Sequence, residues 1–363
     1  MPATAELGVG IIGASVRGGW ALRSHVPALA ALDGFALAAV STSKLATAEQ
    51  TARQFGVPHH YSTSAALAAD PGVDLVTVAV KVTDHEPAVW AAIEAGKDVY
   101  CEWPLATSTE AAAELRDLAA TARVRTVIGL QARSAPALRF ARDLVAEGYL
   151  GRVLSVHANS SGFANGGGVL AEDRGWVADD RNGLSALTVR AAHTLDAAQF
   201  CAGPVLALSA EVLVATPTAL IGDTGRTVPR TAPDQVLMHG LVDGGASLSG
   251  RFLLGVRGDE APLLTICGTA GTLTVTGEGE EPQIQFSPLR LQVARHGSPF
   301  TDLAVPASYR RAPRDLPPGP VAAVAEHYLS LGEAPGFGDA VMLHRLLDTI
   351  RLAATTGRCQ QAG

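Results

Sequence analysis

Lysine is nearly missing from this chain. Of its 28 basic residues only Lys44, Lys81 and Lys97 are lysines, so each of the three merits inspection. Cysteine is scarce too. Cys101, Cys201, Cys267 and Cys359 stand far apart with no paired spacing, which argues against a zinc site and a disulfide framework. The histidines show no metal spacing either, His59-His60 reading as the start of a strand, so no metal is expected. No apolar run is long enough to cross a membrane. The N-terminus lacks the basic segment and apolar core of a secretory signal, so a soluble, cytoplasmic protein is expected. The formal charge is −7 with no basic stripe, which speaks against a nucleic-acid surface. No internal repeat is found.

What the chain does have is 363 residues, enough for two domains, and 47% hydrophobic content, enough for a large core. Its most telling stretch lies at the start. Leu7–Ile12 is an apolar run that reads as a buried strand, a glycine-rich turn follows at Gly13–Gly19, and a helix opens near Trp20. Strand, glycine turn and helix N-terminus together make a cradle for the pyrophosphate of a dinucleotide. In Gly13-x-Ser15-x-x-Gly18 a serine stands where a second glycine is usual; it is small, and its hydroxyl can bond a phosphate. Gly13, Ser15, Val16, Arg17 and Gly18 are the candidate cradle residues.

Further strands are expected at Phe35–Val40, His60-Tyr61, Asp74–Val80, Asp98–Cys101 and Arg125–Leu130, with Ala-rich amphipathic stretches such as Thr107–Ala120 between them. The alternation predicts a doubly wound parallel sheet over residues 1–130, its ligand crevice at the carboxyl ends of the strands. After a helix over Pro136–Tyr149 the pattern changes. Val153–Ser160, Val205–Val214, Gln235–Val242, Ala246–Leu254, Leu263–Ile266 and Thr272–Val275 are rich in β-formers, and Asp243-Gly244-Gly245 signals a hairpin turn. Residues 131–363 are thus expected to form an α+β domain on an open antiparallel sheet. Phe163–Gly183 and Thr216–Pro233 read as long loops, the former over the crevice. Pro320–Leu331 and Asp339–Thr356 read as helices that could pack back on the first domain.

Several landmarks occur in a telling order. They are the glycine turn, Cys101-Glu102-Trp103-Pro104, Gly129-Leu130-Gln131-Ala132-Arg133, Glu147-Gly148-Tyr149-Leu150-Gly151, His193-Thr194-Leu195-Asp196 and Phe337-Gly338-Asp339-Ala340. In these the chain resembles the glucose-fructose oxidoreductase, inositol dehydrogenase and rhizopine-catabolism family (Gfo/Idh/MocA) over nearly its whole length. Gly13-Ala14-Ser15 through Gly19-Trp20-Ala21, Glu102-Trp103 with Leu105-Ala106, Asn182-Gly183, His193-Thr194 with Asp196, and Val228-Pro229 through Pro233-Asp234 are similar to its fungal galactose-pathway repressor branch, which regulates.

The resemblance implies a Glu-Lys-Pro motif whose lysine acts near the nicotinamide, and an aspartate four residues before the histidine. Trp103 and Val189 occupy those positions, while His193 is retained. Lys81 directly follows the strand Asp74–Val80 and could supply the cation that Trp103 cannot; the plainer reading is a solvated loop lysine. His193 has a side chain suited to proton transfer near neutrality, or is a bonded core histidine. The family suggests that Glu102 shapes the ribose side of the pocket and that Pro104 is cis; Glu102 could equally be a salt-bridged strand end. Gln131 touches nicotinamide or substrate, or caps a strand. Arg190 reaches an anionic or hydroxyl-rich substrate, or lies on the surface. Trp103 and Trp176 stack on a sugar or nicotinamide ring, or simply pack.

The second strand runs into Ser41-Thr42-Ser43-Lys44 with no carboxylate to bond a ribose 2′-OH. Hydroxyls and a lysine suit a 2′-phosphate, so NADP is expected over NAD, unless Thr42, Ser43 and Lys44 form only a polar turn. The leading reading is an NAD(P)-dependent oxidoreductase acting on a sugar-like or other polyhydroxylated carbonyl or alcohol. The alternatives are a nucleotide-binding regulator without turnover, acting through a protein partner, and a silent scaffold. The family also implies a homodimer or homotetramer through the open sheet face.

Overall fold

The computed structural model describes residues 6–163, 169–256, 262–280, 282–295 and 297–363. The chain divides into two compact units. One comprises Met1–Gln131 and Arg311–Val341, the other Ala132–Arg310 and Met342–Gly363.

In the first unit β1 (Leu7–Ile12), β2 (Phe35–Ser41), β3 (His59–Tyr61), β4 (Leu75–Val78), β5 (Asp98–Cys101) and β6 (Thr126–Ile128) form one parallel sheet in the order β3-β2-β1-β4-β5-β6. β1 lies between β2 and β4, so the winding reverses there and leaves a crevice at the carboxyl ends of β1 and β4. Val9, Ile11 and Val76 are fully buried, as expected of strands covered on both faces, which is why they read as apolar runs without alternation. The expected helix Thr107–Ala120 runs from Thr109 to Ala122. Ser108 caps it by accepting the Ala111 amide at 3.2 Å, and Arg123 ends it with φ 58°. The helix near Trp20 is broken: Trp20–Arg23 stops at Ser24 (φ −135°), and His25–Ala30 continues. The helix Pro320–Tyr328 belongs to this unit, with Val324, Ala325 and Tyr328 in one apolar cluster with Val9, Ile11 and Val40.

In the second unit, β7 (Val153–Gly162), β8 (Val169–Leu170), β9 (Val205–Leu213), β10 (Thr218–Ile221), β11 (Arg226–Pro229), β12 (Gln235–Val242), β13 (Ser247–Leu254), β14 (Leu264–Gly268), β15 (Thr272–Gly277), β16 (Leu289–Ala294), β17 (Thr301–Leu303) and β18 (Gln360–Gln361) make two sheets. The large one has the order β17-β16-β15-β14-β7-β13-β12-β9-β18, the small one β11-β10-β8. The Asp243-Gly244-Gly245 turn joins β12 to β13 as expected. The large sheet is antiparallel except between β7 and β13, where Ser155 pairs with Ser247 in parallel register. One face is covered by the helices Pro136–Ala146 and Ala192–Ala202. On β12 the alternation leaves Leu237 and Leu241 exposed while Val236 and Val242 are buried.

Two expected loops are corrected. Thr216–Pro233 contains the hairpin β10–β11, in which Ala219 and Ile221 are fully buried. Phe163–Gly183 contains β8 and a tight helical turn over Glu172–Ala178; its residues 164–168 lie outside those described. The sequence pattern does not predict β16, β17 and β18.

Candidate functional site

The glycine turn of the first unit is built for close approach. Gly13 has φ 101°, and a Cβ there would lie 2.5 Å from the Ala79 carbonyl oxygen just beyond β4. Only glycine lets the end of β1 lie that near the end of β4. The Gly18 amide donates to Ser15 O at 2.9 Å, closing the turn, and the Ser15 hydroxyl accepts the Arg17 amide at 3.3 Å. The Val16 amide donates to the Thr51 hydroxyl at 3.2 Å. At Gly18 and Gly19 an added Cβ would meet no atom within 4 Å, so backbone there borders open space. Open backbone of this kind at the winding switch suits a pyrophosphate.

At the carboxyl end of β2, Ser43 and Lys44 are exposed, and the Thr42 hydroxyl donates to Lys44 O at 2.9 Å. Lys81 is exposed and lies three residues beyond β4, preceding the short turn Val82–Asp84. Trp103 is buried and joined to Pro104 by a cis peptide bond, as the family resemblance implied.

Behind these groups lies a buried polar network. Glu102 Oε1 accepts His25 Nε2–H at 2.8 Å. A carboxylate only accepts, so this nitrogen carries the proton, and in neutral His25 the other, Nδ1, accepts the Tyr328 hydroxyl at 2.9 Å. The Tyr328 oxygen then accepts the Thr77 hydroxyl at 2.8 Å. Gln131 Nε2 donates to both Glu102 oxygens at 3.0 Å and to Tyr100 OH at 3.2 Å. Gly129 makes room for the carboxylate, since a Cβ there would fall 2.6 Å from Glu102 Oε2. Burial alone would raise the Glu102 carboxyl, but bonds from His25, Gln131 and Trp20 and the nearness of His25 outweigh it and bring it below its ordinary value. Burial also drives the Tyr100, Tyr328 and Cys101 protons to stay on.

The depressed Glu102 value carries a pH sign. Its contribution to stability is full above the unfolded carboxyl range, about pH 4.3, and is lost as pH falls through the lower folded value. Melting curves taken stepwise between about pH 6 and pH 3 should show wild type losing stability faster than Glu102→Gln. Parallel losses would mean that this carboxylate is not linked to folding.

In the second unit, Ser185 and Thr188 form a reciprocal cap that starts a widened, π-type helical turn over Ala186–Ala191, continuing into the helix Ala192–Ala202. His193 sits on its first turn and is 7% exposed. Arg190 is buried, not on the surface. Its Nη1 donates to the carbonyls of Ser161 at 3.2 Å and Pro282 at 3.3 Å and contacts Ser160 Oγ at 3.4 Å. Trp176 is partly buried against the apolar cluster of Leu170, Val177, Ala178, Ala219 and Ile221, with the Arg174 guanidinium 5.9 Å from its ring centre. Asp196, one turn beyond His193, is held by Arg133 through Nη2 at 2.6 Å and Nε at 3.0 Å.

The structure thus gathers Glu102 and Gln131 into one cluster and brings Gly13 against the end of β4, two residues before Lys81. His25 and Tyr328 escaped the sequence reading, because partners 303 residues apart leave no local signal. Among the described residues no group of three or more His, Cys, Asp or Glu could hold a metal ion, and no helix is long and apolar enough to cross a membrane.

Comparison with known proteins bears on both units. Residues 7–130 match the model of the oxidoreductase family with the NAD-binding Rossmann fold (GFO_IDH_MocA). Residues 136–277 match that of the Gal80p C-terminal domain. The dehydrogenase aclE of Aspergillus oryzae is 34% identical over 218 residues, 58% of each chain. The galactose/lactose metabolism regulatory protein GAL80 of Saccharomyces cerevisiae is 27% identical over 77% of this chain and 68% of its own. The match therefore spans little more than half of the former and about two thirds of the latter. A super-repressor mutant of Gal80p from the same yeast superposes with TM-score 0.86 at 23% identity, covering 98% of both chains. Levoglucosan dehydrogenase in complex with NADH and L-sorbose gives TM-score 0.83 at 22% identity over 99% of both, a likeness of fold.

Proposed function

This chain belongs to the Gfo/Idh/MocA family of NAD-binding oxidoreductases, and on that footing we propose that it moves hydride between a nicotinamide dinucleotide and a sugar-like, polyhydroxylated carbonyl or alcohol. The observation that carries the reading is the open glycine turn at the winding switch, with Lys81 on the carboxyl side of the neighbouring strand. A relative with dehydrogenase in its name, aclE, supports it.

When bound, the nicotinamide supplies or accepts the hydride. The backbone of Gly13–Gly19, with Ser15 and Arg17, holds the pyrophosphate. Glu102 and Gln131, fixed by the buried network, line the nicotinamide-ribose side with Trp103. His193 gives a proton to the substrate oxygen during reduction and takes it back in oxidation. Lys81 is a cation available to the first unit for developing negative charge, the task for which Trp103 has no cation. Thr42, Ser43 and Lys44 receive a 2′-phosphate, so NADP is preferred. Association of copies through the open face of the large sheet, where Leu237 and Leu241 are exposed, gives a homodimer or homotetramer.

The test is NADPH absorbance against a panel of oxidised sugars and related carbonyl compounds. Wild type should consume the cofactor, His193→Ala should lower kcat by about 10²–10⁴-fold, and Lys81→Ala by roughly 10²-fold. Lys44→Ala should weaken NADPH about tenfold and leave NADH nearly unchanged, as loss of one charge-assisted phosphate contact would. Equal affinities for the two cofactors in wild type would overturn the NADP preference.

A second reading is supported by Trp103 in the lysine position and by the Gal80p-type second domain. It is a dinucleotide-binding regulator without turnover, acting on a protein partner. Tight binding with no oxidation across the panel would favour it.

A further inference from the structure

His85 opens the helix His85–Glu94 and is 1% exposed. Its two ring nitrogens both meet carbonyl oxygens. Nδ1 lies 2.8 Å from Pro104 O, and Nε2 lies 3.2 Å from Val80 O. Val80 immediately precedes Lys81, and Pro104 immediately follows Trp103. One imidazole therefore spans the two segments that carry those side chains. A neutral imidazole has one N–H and one lone pair, so it can satisfy one of two carbonyls; the imidazolium donates to both. The shorter contact assigns the neutral ring's proton to Nδ1. The lone pair of Nε2 then faces an oxygen, and the Val80 arm stays open.

We propose that His85 is a positioning residue of the dinucleotide site, holding Pro104 O in both protonation states and Val80 O only as the imidazolium, so that protonation ties the Lys81 turn to the Trp103 segment. The inference rests on the dinucleotide reading above. The groups facing the ring are Glu102 and the Cys101 thiol, whose Sγ lies 3.4 Å from Nδ1, together with Asp84 at the start of its own helix. Burial lowers the His85 value most, and the carbonyls of Pro104 and Val80 and the charges of Glu102 and Asp84 act against it, leaving it below the ordinary imidazole value. The second arm thus closes on the acid side of neutrality.

Calorimetric titration with NAD+, which has no 2′-phosphate to titrate, tests this from about pH 5 to pH 8. Wild type should bind about fivefold tighter or more once the 15N resonances of the ring show the His85 imidazolium. His85→Asn keeps a donor near the Nδ1 position but cannot gain a second, and should hold the wild type's alkaline affinity throughout. An unchanged pH profile in His85→Asn, or a flat one in wild type, overturns the proposal. Should that variant not fold, the 15N resonances of the wild-type imidazole decide. A binding midpoint that departs from the titration of His85 itself also overturns it. If wild type binds no NAD+ at any pH, the dinucleotide reading fails by itself. The clasp is then read from the Asp84 amide, bonded to Lys81 O at 2.8 Å. Its hydrogen exchange, corrected for intrinsic rate, should slow as His85 protonates, and an unchanged corrected rate overturns the clasp.

Discussion

Gly13→Ala should abolish dinucleotide binding and destabilise the first unit. Two separate effects meet at this residue. The backbone sits at φ 101°, outside the range that side chains accept, which costs about 1–3 kcal/mol. The new Cβ would also lie 2.5 Å from Ala79 O and 2.8 Å from Val80 Cγ1, and overpacking of this kind costs about 1–3 kcal/mol more. Relief requires β1 and β4 to part at their carboxyl ends, where Ala79 N donates to Ile12 O at 3.0 Å. The melting temperature should fall by about 5–10 °C. Gly18→Ala is the control that separates the two effects. Its φ of 109° is equally unfavourable, but its Cβ would meet nothing within 4 Å. It should therefore lose less stability while still obstructing a ligand at the glycine turn. Equal melting temperatures for the two variants would show that the clash with the end of β4 is immaterial.

That contrast also shows which parts of the fold the sequence could reveal. β1, β5 and the hairpin at Asp243–Gly245 announce themselves because each is set by residues next to one another: an apolar run, a bounded strand, a turn. The parallel register of β7 with β13 does not. A half-exposed strand alternates in the same way whichever direction its neighbour runs, so the pattern fixes the face and leaves the pairing open. The hairpin within Thr216–Pro233 was hidden by brevity, each strand having four residues in a polar surrounding. In the candidate site, Glu102 and Gln131 could be picked out from their motifs, but what holds them could not. His25 and Tyr328 are buried polar residues whose purpose appears only when the Tyr328 hydroxyl is seen 2.9 Å from the ring. Arg190 illustrates the reverse case: a residue three positions from His193 looks available, yet the widened turn over Ala186–Ala191 turns it toward Ser161 and Pro282.

The ion pair one turn beyond His193 leads to the second large effect. Arg133→Met should destabilise the second unit by about 3–5 kcal/mol at neutral pH, because it removes the bidentate partner of a buried carboxylate. Asp196→Asn should cost less. The asymmetry follows from exposure: the Arg133 side chain is 23% exposed and water can replace part of its partner, whereas Asp196 is 1% exposed. Methionine retains the apolar stem that packs near Phe200, whose ring centre lies 6.0 Å from the guanidinium carbon, so the loss reports mainly on charge. The pH response identifies the cause. With Arg133 gone, Asp196 keeps a buried negative charge without its bidentate partner, a penalty that protonation or the asparagine substitution removes. Denaturant titrations at about pH 7 and about pH 4.5 should bring Arg133→Met closer to wild type at the lower pH, and the double variant Arg133→Met/Asp196→Asn should lose less than the sum of the single losses. A loss independent of pH, or strictly additive single losses, would assign the effect to packing instead. Asp196 and His193 share the helix Ala192–Ala202, so this pair also sets how firmly the proposed proton donor is held. At a pH where all variants are folded, the two single variants should therefore lower kcat together, in the same order as their losses of stability.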